Sequence, residues 1–413
     1  MKNTVSKNSA SLLITVGVVL AHLLIIGLIV WGCSGGSGSK KEKEGGGAVE
    51  TGAPTADTSD QDQSTAQIRK PSANPNFGKP LDFDTADRRS PDNFLPGIEE
   101  FWKGTGIIVD MDTHKVLWAT PKDRDPRTPV AIASMVKMMT VLLVAEEMER
   151  NPKLTLDTEI TVTKSAVNAI PRRERDASRI GLEAGQTVTV RDLLLCVLVK
   201  SANDAANQLA ETAAGSVEAF VERMNKRAKE LGFDSMVFYT ANGLNNWQDG
   251  KPQTSMASAA DMVRLGERLL EYPFLIEMTK KRSAVVNIGG KQRTLYSTNI
   301  LINTSPKPLR GLKPVPGVDG MKTGYIEIAG ACLTFSVERN GRRMIGCVTK
   351  LPNHWNRYMF CRRLIDWAYD PASLEHRPAR RAVPVNKQPP RRNSGAATGK
   401  PAKPERTKNS RGK

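Results

Sequence analysis

Apolar and polar residues divide the chain into four stretches of different character. From Leu12 to Trp31 it is almost wholly apolar, broken only by Thr15, His22 and two glycines. Twenty such residues, rising about 1.5 Å each, make a helix of about 30 Å, the thickness of a bilayer core. Lys2 and Lys7 precede the run, which favours a cytoplasmic N-terminus. The pattern predicts a transmembrane anchor within residues 1–33. Two alternatives stay open: a cleaved signal peptide, whose apolar region is usually shorter, and a lipid on Cys33, where Trp31 before the Gly-Cys pair fits a processing site poorly. All three place the remainder of the chain outside the cytoplasm, as a single-pass membrane protein if the anchor is kept.

Residues 34–90 lose this pattern. They open with GGSGS, pass through KKEKEGGG, and become rich in Thr, Asp, Ser and Gln, with Phe77 and Phe83 the only aromatics. Such a stretch buries too little apolar surface to offset the entropy of ordering it, so a disordered linker is expected.

Regular patterning begins near Pro91 and lasts to Asp370. Gly106–Asp110 and Val116–Trp118 read as strands around a turn at Asp112–His114. Apolar residues at helical spacing follow over Ala133–Glu149, from Val190 through Leu198, over Asn203–Ala214, over Val217–Leu231 with Gly232 as a stop, and over Ser258–Leu270. Ala331–Val337 and Arg342–Lys350 flank Asn340-Gly341, a strong hairpin signal, and Arg357–Tyr369 reads as a closing helix. Strands at both ends with helices between predict an α/β (α+β) unit. Its two ends share one central antiparallel sheet, flanked by helices and a helical subdomain.

The net charge of +17 suggests nucleic acid until it is located. Residues 371–413 carry twelve Lys/Arg against two Glu, so +10 of the total lies in a proline-dotted tail expected to be disordered. No aromatic interleaves these residues, so base stacking and specific nucleic-acid binding are not expected; contact with anionic polymers stays open. Only four histidines occur, at 22, 114, 354 and 376, which excludes a His-rich metal site. Neither a metal nor a cofactor is expected. In the predicted hairpin register Thr334 faces Cys347 and Cys332 faces Thr349, so a Cys332–Cys347 bridge would be diagonal and strained. These thiols are expected to be unpaired core residues.

Three short patterns carry candidate chemistry: Ser134-Met-Val-Lys137, Ser201-Ala-Asn203 and Lys322-Thr323-Gly324. Other copies of Ser-x-x-Lys fall in low-complexity segments, whereas Ser134 opens an apolar helix on which residues three apart share a face. A serine hydroxyl is a poor nucleophile unless a base takes its proton, and lysine is such a base only when burial or a nearby cation lowers its pKa. The helix start, Lys322 as a second cation, and apolar Met135, Val136 and Met138 all act in that direction. Taken singly, Ser134 reads rather as an N-cap and Lys137 as a solvated lysine. A strand bearing Lys322 and Thr323 on a cleft edge, with Gly324 admitting close backbone approach, suits an extended, carboxylate-bearing substrate.

Together the three patterns resemble those of the β-lactamase/transpeptidase-like superfamily. The chain is most similar to D-alanyl-D-alanine carboxypeptidases, the low-molecular-mass penicillin-binding proteins of serine peptidase family S11. Ser178-Arg-Ile-Gly-Leu182, Val190-Arg-Asp-Leu-Leu194, Ser201-Ala-Asn-Asp-Ala-Ala206, Asn242-Gly-Leu244 and Pro316-Gly-Val-Asp-Gly-Met-Lys-Thr-Gly324 carry the resemblance over residues 100–370. It implies that Ser134 attacks the penultimate D-Ala carbonyl of a peptidoglycan stem peptide, with Lys137 as general base. It further implies that Ser201 relays a proton to the departing amine and Asn203 holds the acyl-side amide. Lys322, Thr323 and Arg357 would bind the terminal carboxylate, and the backbone N–H groups of Ser134 and Tyr325 would form the oxyanion hole. β-Lactams would act as covalent inhibitors. Ser-Ala-Asn replaces the commoner Ser-Gly-Asn, and Arg172-Arg-Glu-Arg-Asp176 is unusually charged for a loop near the cleft. Many relatives add a small β domain and a C-terminal anchoring helix; here the basic tail follows the catalytic unit, and the N-terminal helix is expected to replace that anchor.

A D,D-endopeptidase acting on cross-links uses the same residues. A class A β-lactamase needs a glutamate-activated water, for which only Glu174 offers itself, in an unlike context. A non-catalytic wall-binding module would not require an intact Ser134/Lys137 pair.

Overall fold

The computed structural model describes residues 68–170, 174, 177–302, 312–376 and 381–382. The apolar run at 12–31, Cys33, most of the basic tail and most of the arginine-rich loop lie outside the described residues. Among the described residues no helix is long and apolar enough to cross a membrane.

Strands β1 (Gly106–Asp110) and β2 (Val116–Ala119) form the first hairpin, with His114 at φ 58° in its turn. A 3-10 turn over Ala133–Val136 leads into α1 (Lys137–Arg150). Helices α2 (Val190–Leu198), α3 (Asn203–Ala214), α4 (Val217–Glu230) and α5 (Ala259–Leu269) follow. Their starts are chemically marked: Thr189, Ser216 and Ser258 accept the N–H groups of Asp192, Ala219 and Asp261. A hairpin of β3 (Ser283–Ile288) and β4 (Lys291–Tyr296) packs beside this block, and β5 (Val318–Ile326), β6 (Gly330–Arg339), β7 (Arg342–Leu351) and α6 (His354–Tyr369) complete the unit.

The two chain ends share one five-stranded antiparallel sheet in the order β5-β6-β7-β1-β2, as expected. Both faces are covered, which is why all five β1 residues are buried. Ile107 and Val109 join the helical block through Met135, Met138 and Ile345. Ile108 points the other way, among Phe94, Trp102, Trp118 and Phe360. That second layer is an aromatic cluster, with Phe360 4.8 Å from Trp102 and 5.5 Å from Phe94 between ring centroids.

Both expected boundaries of the catalytic unit move outward. Residues 68–90 form a strap on the domain rather than a linker. Asp82 and Asp87 pair with Lys115 and Trp118 along the β2 edge, Arg69 is ion-paired with Glu271 at 3.0 Å, and the Gly78 N–H donates to Glu267. Covering an edge strand satisfies its open backbone groups, and the short Asp, Phe and Arg contacts that do so carry no hydrophobic period. At the other end Ala382 is buried and its N–H bonds Pro96 O at 3.0 Å. Thr334 faces Cys347 as expected, but a bulge between Ala331 and Leu333 breaks the expected Cys332–Thr349 register. Cys196, Cys332, Cys347 and Cys361 are buried free thiols.

Candidate active site

The turn that precedes α1 decides what Ser134 does. Its N-cap position is Ile132 and no side chain caps it. The Ser134 hydroxyl is therefore not spent as a helix cap; it lies 3.0 Å from Lys137 Nζ. Two glycines hold the turn in place. A Cβ on Gly243, where φ is +82°, would lie 2.2 Å from Ala133 O, and one on Gly324 would lie 2.6 Å from Ile132 O. Only residues without a side chain let the 243 loop and the β5 edge close on the serine from two sides. Ala133 itself sits at φ 49°, a strained conformation for alanine.

The second motif enters from the α2–α3 junction. Ser201 has φ 63°, which turns it away from α2 while its N–H still bonds Val197 O at 3.1 Å. Asn203 starts α3, and its Oδ1 lies 2.6 Å from Lys137 Nζ. Buried Asp204 accepts N–H groups from Gly181 at 2.9 Å and Leu182 at 3.0 Å, which ties the Ser178–Leu182 segment to α3. The third motif comes from the β5 edge: Lys322 Nζ donates to Ser201 Oγ at 2.8 Å and to Thr323 O at 3.0 Å.

Lys137 has three close neighbours: Ser134 Oγ, Asn203 Oδ1 and the backbone oxygen of Asn242. Its ammonium is fully buried, and burial first, then the charge of Lys322, lower its pKa well below the ordinary value; Asp204 opposes this in part. A neutral amine has two N–H bonds and one lone pair. The two carbonyl-type oxygens can only accept, so they take both N–H bonds and leave the lone pair facing the Ser134 hydroxyl. Lys322 is pushed down to about 7, by burial and then by Arg357. The three buried cations thus form a series in which Arg357 depresses Lys322 and Lys322 depresses Lys137.

Ser134, Lys137, Ser201, Asn203 and Lys322 form one connected cluster. Thr323 and Gly324 continue the same strand, and the Thr323 hydroxyl lies 2.8 Å from that of Thr298. The Tyr325 side chain is 45% exposed, with its ring 5.0 Å from that of His354. Arg357 differs from the expectation of a guanidinium presented directly to substrate. It is buried at the start of α6 and donates to the backbone oxygens of Cys332 at 3.0 Å and Gly324 at 3.4 Å. An arginine on the first turn of a helix packed behind a sheet reaches the strand backbone before it reaches the cleft. Sequence reasoning missed two contributors. Asn242 acts through its backbone oxygen, and Thr298 lies between recognisable segments. The Asn242-Gly-Leu244 segment did stand out, but side-chain chemistry gives no hint of a backbone acceptor.

A family model described as D-alanyl-D-alanine carboxypeptidase matches residues 97–352. D-alanyl-D-alanine carboxypeptidase DacF of Bacillus subtilis is 31% identical over 266 residues, covering 64% of this chain and 61% of that protein. The chain therefore spans about three-fifths of that relative's length. A D-alanyl-D-alanine endopeptidase of Pseudomonas aeruginosa is 29% identical over 248 residues, covering 60% of this chain and 70% of that one. Among solved structures, penicillin-binding protein D2 of Listeria monocytogenes in its cefotaxime-bound form is similar, with a TM-score of 0.53 and 26% identity over 65% of this chain and 97% of that one.

Proposed function

The chain belongs to the D-alanyl-D-alanine carboxypeptidase family, and from that membership we propose that it removes the terminal D-Ala of peptidoglycan stem peptides through an acyl-serine intermediate. The observation that carries this reading is the buried amine of Lys137, 3.0 Å from Ser134 Oγ with its other two neighbours acceptors. Ser134 Oγ attacks the carbonyl of the penultimate D-Ala as its proton passes to Lys137. The backbone N–H groups of Ser134 and Tyr325 receive the oxyanion, an interaction worth about 2.7–4 kcal/mol per donor in comparable sites. The C–N bond breaks as the proton held by Lys137 is relayed through Ser201 to the departing amine, so that D-Ala leaves and Lys137 is neutral again. Lys137 then takes a proton from water, which attacks the ester, and passes that proton to Ser134 Oγ as the acyl–oxygen bond breaks. Asn203 steadies the acyl-side amide. Lys322 and Thr323 hold the terminal carboxylate, while Arg357 acts from beneath β5 through its charge and its hold on Gly324 O.

A penicillin presents a carboxylate and a strained amide in a similar relation, and the Listeria relative has been seen with cefotaxime and with ampicillin. Incubation with a penicillin, followed by intact-protein and peptide mass spectrometry, should give a long-lived adduct on the peptide containing Ser134. Incubation with a D-Ala-D-Ala peptide should release D-Ala. Rapid loss of the drug with no adduct would instead indicate a β-lactamase, and absence of both reactions would sink the enzymatic reading. The endopeptidase reading is favoured by the name of the Pseudomonas relative; release of D-Ala from linear peptides much faster than cleavage of cross-linked dimers would set it aside.

We place the catalytic unit on the outer side of a bacterial cytoplasmic membrane, anchored by the apolar run at 12–31. The full chain should then stay in the membrane fraction after alkaline carbonate washing, and a chain beginning at residue 68 should not.

A further inference from the structure

We propose that Thr298 is a positioning residue for the carboxylate-binding hydroxyl of Thr323, an inference that rests on the function proposed above. A threonine hydroxyl has one proton and two lone pairs. In the free protein the Thr298 and Thr323 hydroxyls are 2.8 Å apart, and either one can donate. Once a carboxylate occupies the site, Thr323 must give its only proton to that acceptor. The Thr298–Thr323 bond then survives only with Thr298 donating and Thr323 accepting. Thr298 is free to do this, because its side chain has no other hydrogen-bond partner among the described residues. The pair therefore works as a two-state switch: the neighbour's proton fixes the rotamer of Thr323 and strengthens its own O–H as a donor.

The segment around Thr298 also ties the two sides of the cleft together. The Thr298 N–H bonds Val199 O at 3.0 Å, two residues before Ser201, while its side chain reaches β5 at Thr323. Asn299 Nδ2 donates to Gly320 O at 3.2 Å, and the Leu301 N–H bonds Asn299 Oδ1 at 3.1 Å. The backbone of residues 298–301 is thus held independently of the Thr298 hydroxyl. Replacing that hydroxyl by a methyl group removes the contact to Thr323 and leaves the brace.

The test compares wild type, Thr298→Val and Thr298→Ser, using acylation by benzylpenicillin and by its methyl ester, and D-Ala release from a D-Ala-D-Ala peptide. Thr298→Val should lower the second-order acylation rate by about three- to tenfold for the carboxylate, the loss expected of a neutral hydrogen bond, and by less than about twofold for the ester. With the peptide, KM should rise by a similar factor and kcat should stay nearly constant, because the carboxylate is held equally in ground and transition states. Thr298→Ser should restore both. An unchanged rate with the carboxylate, or equal losses with carboxylate and ester, overturns the assignment. A wild-type protein that is neither acylated nor releases D-Ala overturns the functional reading and this inference with it; an active wild type matched by Thr298→Val overturns the inference alone.

Discussion

Replacing Ser134 with alanine is expected to reduce both penicillin acylation and D-Ala release to background, while a D-Ala-D-Ala peptide still binds with nearly its original affinity. The two halves of this expectation come from different parts of the site. Bond formation needs the Oγ that lies 3.0 Å from Lys137 Nζ, and no other hydroxyl can take its place. Ser201 is bound to Lys322 on the far side of the cluster. Binding, by contrast, depends on Lys322 and Thr323, whose partners are Ser201, Thr298 and the strand backbone. Because Ser134 caps no helix, its loss should also change the unfolding free energy by well under the roughly 1 kcal/mol of a lost cap. Mass spectrometry, calorimetric peptide binding and urea unfolding read the three parts separately. Acylation surviving within about tenfold would mean that another residue is the nucleophile.

Much of this was legible in the sequence because it is written in local periods and short motifs. The hairpin turn Asn340-Gly341 and the helix stop at Gly232 follow from residues adjacent in the chain, and the structure has them in place. The pairing of the unit's two ends followed from strands at both ends with helices between them. What escaped was decided by contacts between distant backbones. The strap at 68–90 reads as a linker because its contacts are Asp and Gly backbone groups and isolated Phe and Arg side chains. The β3–β4 hairpin was missed despite Gly289-Gly290, since Lys291 and Arg293 share a face of β4 with buried Leu295 and break its apolar alternation. The bulge at Ala331–Leu333 has no local signal at all.

The site divides in the same way. Its three motifs announced the residues proposed as nucleophile, base and carboxylate side, but not the electrostatic order among the cations. That order depends on depth: Arg357, Lys322 and Lys137 are each buried, and each is close enough to depress the next. Burying three positive groups together is costly, and Asp204 offsets only part of that cost near Lys137. The arrangement makes chemical sense if a bound carboxylate supplies the missing negative charge. Substrate then stabilises the protonated form of Lys322 while Lys137 stays neutral.

That asymmetry leads to the second large effect. Lys137→Met should lower the acylation rate by about 10²–10⁴-fold, the range of a lost general base, with the fold retained because methionine fills a similar apolar volume. Lys137→Arg should fare no better, since a guanidinium keeps donors but supplies no lone pair near neutral pH. In the wild type the same groups set the pH profile. As pH falls, Lys137 gains a proton and loses its lone pair, so both kcat and kcat/KM decline on the acid side; its lowered pKa moves that decline to lower pH than an ordinary lysine would give. As pH rises past about 7, free-enzyme Lys322 loses the charge that attracts the carboxylate, so kcat/KM declines. In the complex the carboxylate holds that proton, so the alkaline limb of kcat should lie at higher pH than that of kcat/KM. In Lys137→Met the acid limb should vanish from the residual activity and the alkaline limb of kcat/KM should remain. Acylation by Lys137→Met within tenfold of wild type, or an unchanged acid limb, would assign the base to another group.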